Sequence, residues 1–184
     1  SASDTLATST SNEGFNQGSG VTRDYRNASC ELIATINSTG GALGNVVAEV
    51  VVEPTAGMVN GMPYASRHYE ITADNASTPA TVTLYLTPDE VTDYNANNDT
   101  FPDLDAMLSN IKVTAYHNLP GMGGAGPNGH DLANTELITS VSAYFNAAED
   151  RWELTFVTSG FSGFYFHTTS NNTPLNISMG PLSG

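Results

Sequence analysis

Positive charge is the scarcest chemistry in this sequence. Five Lys and Arg stand against 19 Asp and Glu over 184 residues, a formal net charge of −14, and Lys112 is the only lysine. Binding a phosphate backbone needs clustered cations, so nucleic acid is excluded as a partner. Anionic membrane surfaces attract basic segments and are excluded on the same ground. Cys30 is the only cysteine, which rules out an intramolecular disulfide and a thiolate zinc site. No apolar run approaches the roughly 20 residues of a membrane-spanning helix, so no membrane insertion is expected. The first twenty residues, SASDTLATSTSNEGFNQGSG, lack the basic and apolar regions of a signal peptide. Their Ser, Thr, Asn and Gly content predicts a flexible linker over residues 1–20.

Apolar residues make up 39% of the chain, with 7 Phe, 8 Tyr and 1 Trp. That suffices for a packed core and argues against disorder. A chain of this length buries roughly 70% of its unfolded surface in one domain. An acidic, lysine-poor surface fits a secreted protein, a calcium binder or both, and it also keeps a protein soluble without any site.

Period-two alternation recurs along the chain. ELIATI places Leu32, Ala34 and Ile36 on one face, and NVVAEVVVE places Val46, Ala48, Val50 and Val52 together. RHYEIT, ATVTLYLT, IKVTAYH, TSVSAYF, RWELTFV and SGFYFHT continue the pattern. In ATVTLYLT, Val82, Leu84 and Leu86 face inward, with Thr81, Thr83, Tyr85 and Thr87 outward. About eight alternating strands rich in Val, Thr and aromatics predict antiparallel sheets with one wet face. The expected fold is an all-β antiparallel β-sandwich, Ig-like or jelly-roll-like, over residues 21–175, followed by a C-terminal linker over 176–184. One short inserted helix is expected, because TPDEV offers Thr87 as N-cap, Pro88 at the first helical position and Glu90 to close a capping box. It should end near Tyr94 or Asn95, and a second helical turn is expected over 103–109.

The stretch DYNANNDTFPDLD, residues 93–105, holds four Asp and three Asn. Asp93, Asn95, Asn97 and Asp99 fall at alternate positions of a calcium-loop pattern, and hard oxygen ligands spaced this way can converge on one ion. Leu104 stands where the bidentate glutamate belongs. The stretch is therefore not an EF-hand. A looser structural calcium site using Asp93, Asn95, Asn97, Asp99 and Asp103 or Asp105 is one expectation; a helix exit and turn, which Asn and Asp favour, is the other. No further cofactor is expected.

GMGGAG, residues 121–126, spells a dinucleotide fingerprint, but Pro127, Asn128 and Gly129 follow where a helix is needed. GFSGF, residues 160–164, approaches a nucleophile elbow around Ser162, but Phe164 replaces its last glycine. His68, His117, His130 and His167 lie without metal-ligand spacing. No catalytic constellation emerges, so an enzyme is not expected. Tyr85, Tyr116 and Tyr144 each alternate with their strand's core set, which makes them candidate members of a sugar-stacking platform. Six Asn-X-Ser/Thr sequons, at Asn27, Asn37, Asn75, Asn98, Asn171 and Asn176, accord with an Asn- and Thr-rich composition.

RWELTFVTSGFSGFYFHTT followed by NTPLNI resembles the end of a β-rich accessory module of secreted Bacteroidetes-type surface proteins, the kind that precedes a C-terminal type IX sorting domain. ASRHYEIT, ATVTLYLTPDEVTDYN and IKVTAYHN resemble its earlier strands. The resemblance covers roughly residues 29–175. It implies type IX secretion of the parent and a secreted or cell-surface location. The function it implies is a non-catalytic accessory, adhesion or spacer module, with a glycan or another surface protein as partner. A carbohydrate-binding module of a glycan-degrading enzyme and a protomer that self-assembles by strand addition stand as alternatives, the latter making a homo-oligomer.

Overall fold

Alternation along the chain becomes two antiparallel sheets packed face to face. The computed structural model describes residues 4–59, 61–98, 100–117 and 135–168. Strands are numbered in chain order. One sheet has six strands in the order β1 (Ser11–Gln17), β4 (Gly44–Val52), β7 (Arg67–Ala73), β13 (Ser162–Thr168), β9 (Ile111–His117) and β10 (Thr135–Ile138). The other has five, in the order β11 (Ser142–Asn146), β12 (Arg151–Thr158), β8 (Ala80–Leu86), β3 (Leu32–Asn37) and β2 (Thr22–Arg26). β5 (Gly57–Val59) and β6 (Met62–Tyr64) form a separate hairpin. The β-sandwich with one short helix is thus the observed architecture.

The expected inward sets meet in one core. Val46, Ala48 and Val50 of β4, Val82, Leu84 and Leu86 of β8, Ile111, Val113 and Ala115 of β9, and Phe164 and Phe166 of β13 are all buried there. Tyr69 crosses the interior: its hydroxyl donates to the Tyr85 carbonyl at 2.7 Å and accepts the Tyr85 N–H at 3.1 Å. β3 pairs with β8 from Asn37 opposite Thr81 to Thr35 opposite Thr83. A side chain from one sheet thereby supplies hydrogen bonds to a strand of the other, as buried backbone groups require.

Of the linker expected over residues 1–20, Leu6 and Ser11–Gln17 instead pair with strands of the sandwich. Ser11–Gln17 pairs with β4 in continuous register from Ser11 opposite Val50 to Gln17 opposite Gly44. This stretch forms a strand because its polar side chains find partners. Glu13 takes the Arg23 guanidinium at 3.0 Å and the Arg26 N–H at 2.7 Å. Buried Gln17 donates to the carbonyls of Val21 and Ile36 and accepts from the Tyr25 hydroxyl. Upstream, Leu6 bridges in parallel to Leu32, and Asp4 pairs with Arg26 at 2.6 Å. Residues 4–17 therefore run as a strap from the five-stranded sheet to the six-stranded one. The C-terminal linker expected over 176–184 lies outside the described residues.

Three patterns depart from simple alternation. A bulge where β2 meets β3 shifts the register at Tyr25 and Arg26. Ile33 joins Ala34 and Ile36 in the main core, while Leu32 packs with Leu6 and Tyr85 instead. Phe145, which alternates with Tyr144, lies on an edge strand, is partly exposed and tilts against Trp152. The middle of the six-stranded sheet is buried on both faces, since His68, Glu70, Lys112, Thr114 and His167 are buried alongside the core set.

The helix, α1, spans Pro88–Ala96, with Thr87 as N-cap and a complete capping box. The second helical turn expected over 103–109 is shortened to a 3-10 turn at Leu108–Asn110. Glu90 does more than cap. Its Oε2 accepts the Thr87 N–H at 2.8 Å, and both its oxygens accept from Nε of Arg67 at 3.0 Å. Arg67 is only 2% exposed, so this ion pair ties the helix to the interior of β7. At the helix C-terminal end, the buried Tyr94 hydroxyl accepts the Thr168 N–H at 2.9 Å and anchors the end of β13. Removing one member of a buried pair strands the other charge, a loss of about 3–5 kcal/mol. Glu90→Ala is expected to lower unfolding stability by that order in urea titrations. A loss under about 1 kcal/mol, the scale of a lost cap alone, would show that Arg67 is already solvated.

Candidate functional site

The acidic stretch forms a turn that bonds to itself. Asp93 accepts the Ala56 N–H and, through Oδ1, the Asn97 side-chain amide at 3.1 Å. Asn95 donates its amide to Asp105 Oδ1 at 2.8 Å and accepts the Leu104 N–H at 2.9 Å. Buried Asn98 donates to the carbonyls of Phe101 and Pro102 and accepts from their side of the turn at the Phe101 N–H. Asp99 lies outside the described residues. Asn95 and Asn97, expected as calcium ligands, thus turn donor nitrogens toward Asp105 and Asp93. Among the described residues no group of three His, Cys, Asp or Glu, Asp103 included, is placed to hold a metal ion. The helix-exit expectation describes this stretch, and Leu104 is buried to seal it.

The tyrosines do not make one platform. Tyr116 belongs to β9 of the six-stranded sheet, and its side chain lies outside the described part. Tyr85 and Tyr144 share a row of the five-stranded sheet, each in register with Glu153. Tyr85, expected to face outward and open, is only 4% exposed. The cover comes from the strap and two strands: Leu6 and Leu32 of β3 pack on the ring, and the Arg151 guanidinium of β12 lies 4.8 Å above it. The Tyr85 hydroxyl sits 2.6 Å from Thr35 Oγ1, and burial pushes its pKa up to about 12. Tyr144 alone of the described pair is open, at 61% exposure.

A polar corner surrounds Tyr144. Glu153 Oε1 accepts from Asn146 Nδ2 at 3.0 Å and from Arg151 Nε at 3.1 Å. Arg151 is nearly buried and also donates to the Asp4 carbonyl at 2.5 Å. Next to this corner lies an open cleft of about 420 Å³, lined among others by Leu6, Thr8, Ala148, Asp150 and Arg151. The adjoining row runs Ser142, Thr155, Thr83 and Thr35 in register, with the Thr83 and Thr155 hydroxyls 2.9 Å apart. This face and cleft suit hydrogen bonding to a polar partner. Their assembly is not legible locally, because Asn146 and Glu153 meet through strand register and Asp4 joins through the Arg151 side chain.

A second cluster lies on the opposite, outer side of the six-stranded sheet. His68 stacks on Tyr165 at 4.5 Å, and Tyr64 of the hairpin meets both rings edge-on. His68 Nε2 lies 3.4 Å from Glu53 Oε2. A Cβ at Gly57 would fall 2.0 Å from the Tyr64 ring, so glycine lets the hairpin close. Glu70, two residues on from His68, is paired in register with Glu49. Burial, then the Glu49 charge, pushes the Glu70 pKa up to about 8. Burial drops His167 to about 4, and its Nε2 lies 2.6 Å from Thr114 Oγ1. The available signal was the aromatic run FYFHT, whose two faces are both apolar enough for two-sided burial.

Because Glu70 is raised from 4.5 to about 8, the folded chain holds a proton that the unfolded chain releases between those values. Rising pH therefore costs stability across that window. His167 acts in the opposite sense, losing stability as pH falls from 6.5 toward about 4. The Glu70→Gln variant is expected to match the wild type near pH 5 and to melt higher at pH 8.5; equal melting at both values would place Glu70 in water. Thermal midpoints are expected to be the same in calcium and in chelator, and a calcium-dependent rise would restore the 93–105 turn as a metal site.

Compared with known proteins, the chain matches no family model, no curated protein and no solved structure.

Proposed function

We propose that this chain is a non-catalytic accessory or adhesion module of a secreted or cell-surface protein, and that it meets its partner through the outer face of the five-stranded sheet. The observation that carries the reading is the open corner at Tyr144, continuous with a cleft and with a row of hydroxyls. Several charged groups elsewhere are engaged in pairs that hold the fold, such as Arg67 with Glu90 and Arg23 with Glu13. The net charge of −14 keeps such a module dispersed and free of nonspecific adsorption to anionic surfaces. The likeness of its last strands to accessory modules of Bacteroidetes-type surface proteins adds support for the location and secretion route.

Self-assembly by strand addition is the second reading. It draws on β11, an edge strand with partly exposed Phe145, since edges invite added strands. Mutual repulsion of strongly acidic copies opposes it. Sedimentation at high protein concentration is expected to show monomer only; a concentration-dependent dimer would favour self-assembly.

The labelled chain is expected to be retained on immobilised surface polysaccharides or surface proteins, without releasing soluble product. Thr155→Arg places a bulky charge in the middle of the face. It is expected to cut retention at least about tenfold, near 1.4 kcal/mol. Unchanged retention by this variant, or product release that scales with added chain, would overturn the reading.

A further inference from the structure

The geometry points to a neutral carbohydrate as the ligand of the corner formed by Tyr144, Asn146, Arg151 and Glu153, and this rests on the reading that the outer face binds a partner. A sugar ring carries an apolar C–H face and a polar rim. Its site therefore needs an open aromatic ring beside polar groups held in place. Both are here. Tyr144 is 61% exposed and directly in register with Glu153 on the neighbouring strand, where strand spacing places side chains about 5 Å apart.

Glu153 is a preorganised acceptor. Asn146 and Arg151 both bond its Oε1, which fixes the carboxylate plane and orients Oε2 without that pair. Its side chain remains 25% exposed, so a ligand hydroxyl can reach it. Arg151 is itself held from two further sides, by the Asp4 carbonyl and by the Tyr85 ring. Asn146 Oδ1 is occupied by the N–H groups of Ala148 and Glu149, which locks the amide. Groups ordered before binding lose little entropy when a ligand arrives. The buried Tyr85 thus acts as the support under Arg151 rather than as a stacking surface.

The neighbouring cleft gives the ligand room. Its volume of about 420 Å³ falls within the roughly 300–1,000 Å³ of small-ligand sites. Leu6 and Ala148 supply apolar lining and Thr8 a hydroxyl. The row from Ser142 through Thr155 and Thr83 to Thr35 extends the polar surface across the strands, so a chain of sugars can lie along it. Charge selects the class. Glu149 and Asp150 line the cleft, and the chain carries −14 overall, which repels uronates and sulfated sugars.

Affinity electrophoresis in gels holding neutral glucans, mannans or galactans, with alginate and polygalacturonate as anionic controls, tests the inference. The whole chain is expected to be retarded by at least one neutral polymer and by neither anionic one. Tyr144→Ala is expected to weaken that retardation at least tenfold with an unchanged thermal midpoint, since the ring is exposed. No retardation by any neutral polymer, equal retardation by the anionic controls, or an unaffected Tyr144→Ala variant would each overturn it. If neutral polymers fail while Thr155→Arg still abolishes retention on a surface protein, the face binds but its ligand is not a carbohydrate. If neither substitution affects any retention, the binding face itself is wrong.

Discussion

The buried pair of Arg67 and Glu90 fixes how the helix sits on the six-stranded sheet, beside the core packing of Val91 and Tyr94. Arg67 lies on the inward side of β7, where a lone guanidinium is costly to bury. Glu90 answers it from the helix and uses the same carboxylate to cap that helix at Thr87. Once the helix is seated, Tyr94 reaches Thr168, and the 93–105 turn closes over the helix exit through Asn95, Asn97 and Asn98. The acidic stretch owes its shape to this chain of contacts. Its carboxylates and amides serve the seating of the helix before they serve any ligand.

The two outer faces have been put to different uses by what covers them. The six-stranded sheet carries the β5–β6 hairpin, with Tyr64 pressed on His68 and Tyr165. Groups that would titrate near their ordinary values in water shift there, as Glu70 and His167 do. Among the described residues, the outer face of the five-stranded sheet is covered at one end, where the strap lays Leu6 on Tyr85. In its row of hydroxyls, Thr35, Thr83 and Thr155 are half-buried and Ser142 is exposed. Cover on one face and openness on the other follow from the same short segments, the hairpin and the strap.

How much of this could be read from residue order differs element by element. ATVTLYL gave β8 and its core face directly, because strict alternation is a local property. TPDEV gave the helix start and the capping box for the same reason. SNEGFNQ did not announce β1, since one apolar residue in seven carries no alternation and the strand forms by satisfying Glu13 and Gln17 at a distance. The bulge beside Leu32 reversed a predicted face that period two alone could not correct. Tyr85 looked like Tyr144 in its strand pattern; Leu6, Leu32 and Arg151, remote in sequence, cover its ring and leave Tyr144 open. The corner around Glu153 combines residues from β11, β12 and the first described residue, Asp4, so no window of sequence contained it.

The strap has a mechanical side. Residues 4–17 attach in series: Asp4 to Arg26 and Arg151, then Leu6 to Leu32, then β1 along β4. Tension arriving from the N-terminal direction meets the small attachments first and the long strand pairing last. Ala7, between these attachments, is part of the main core, so releasing the strap also uncovers core surface. Losing these attachments would uncover Tyr85 and loosen Arg151, so the order of the Tyr144 corner depends on Asp4 and Leu6 at the start of the strap.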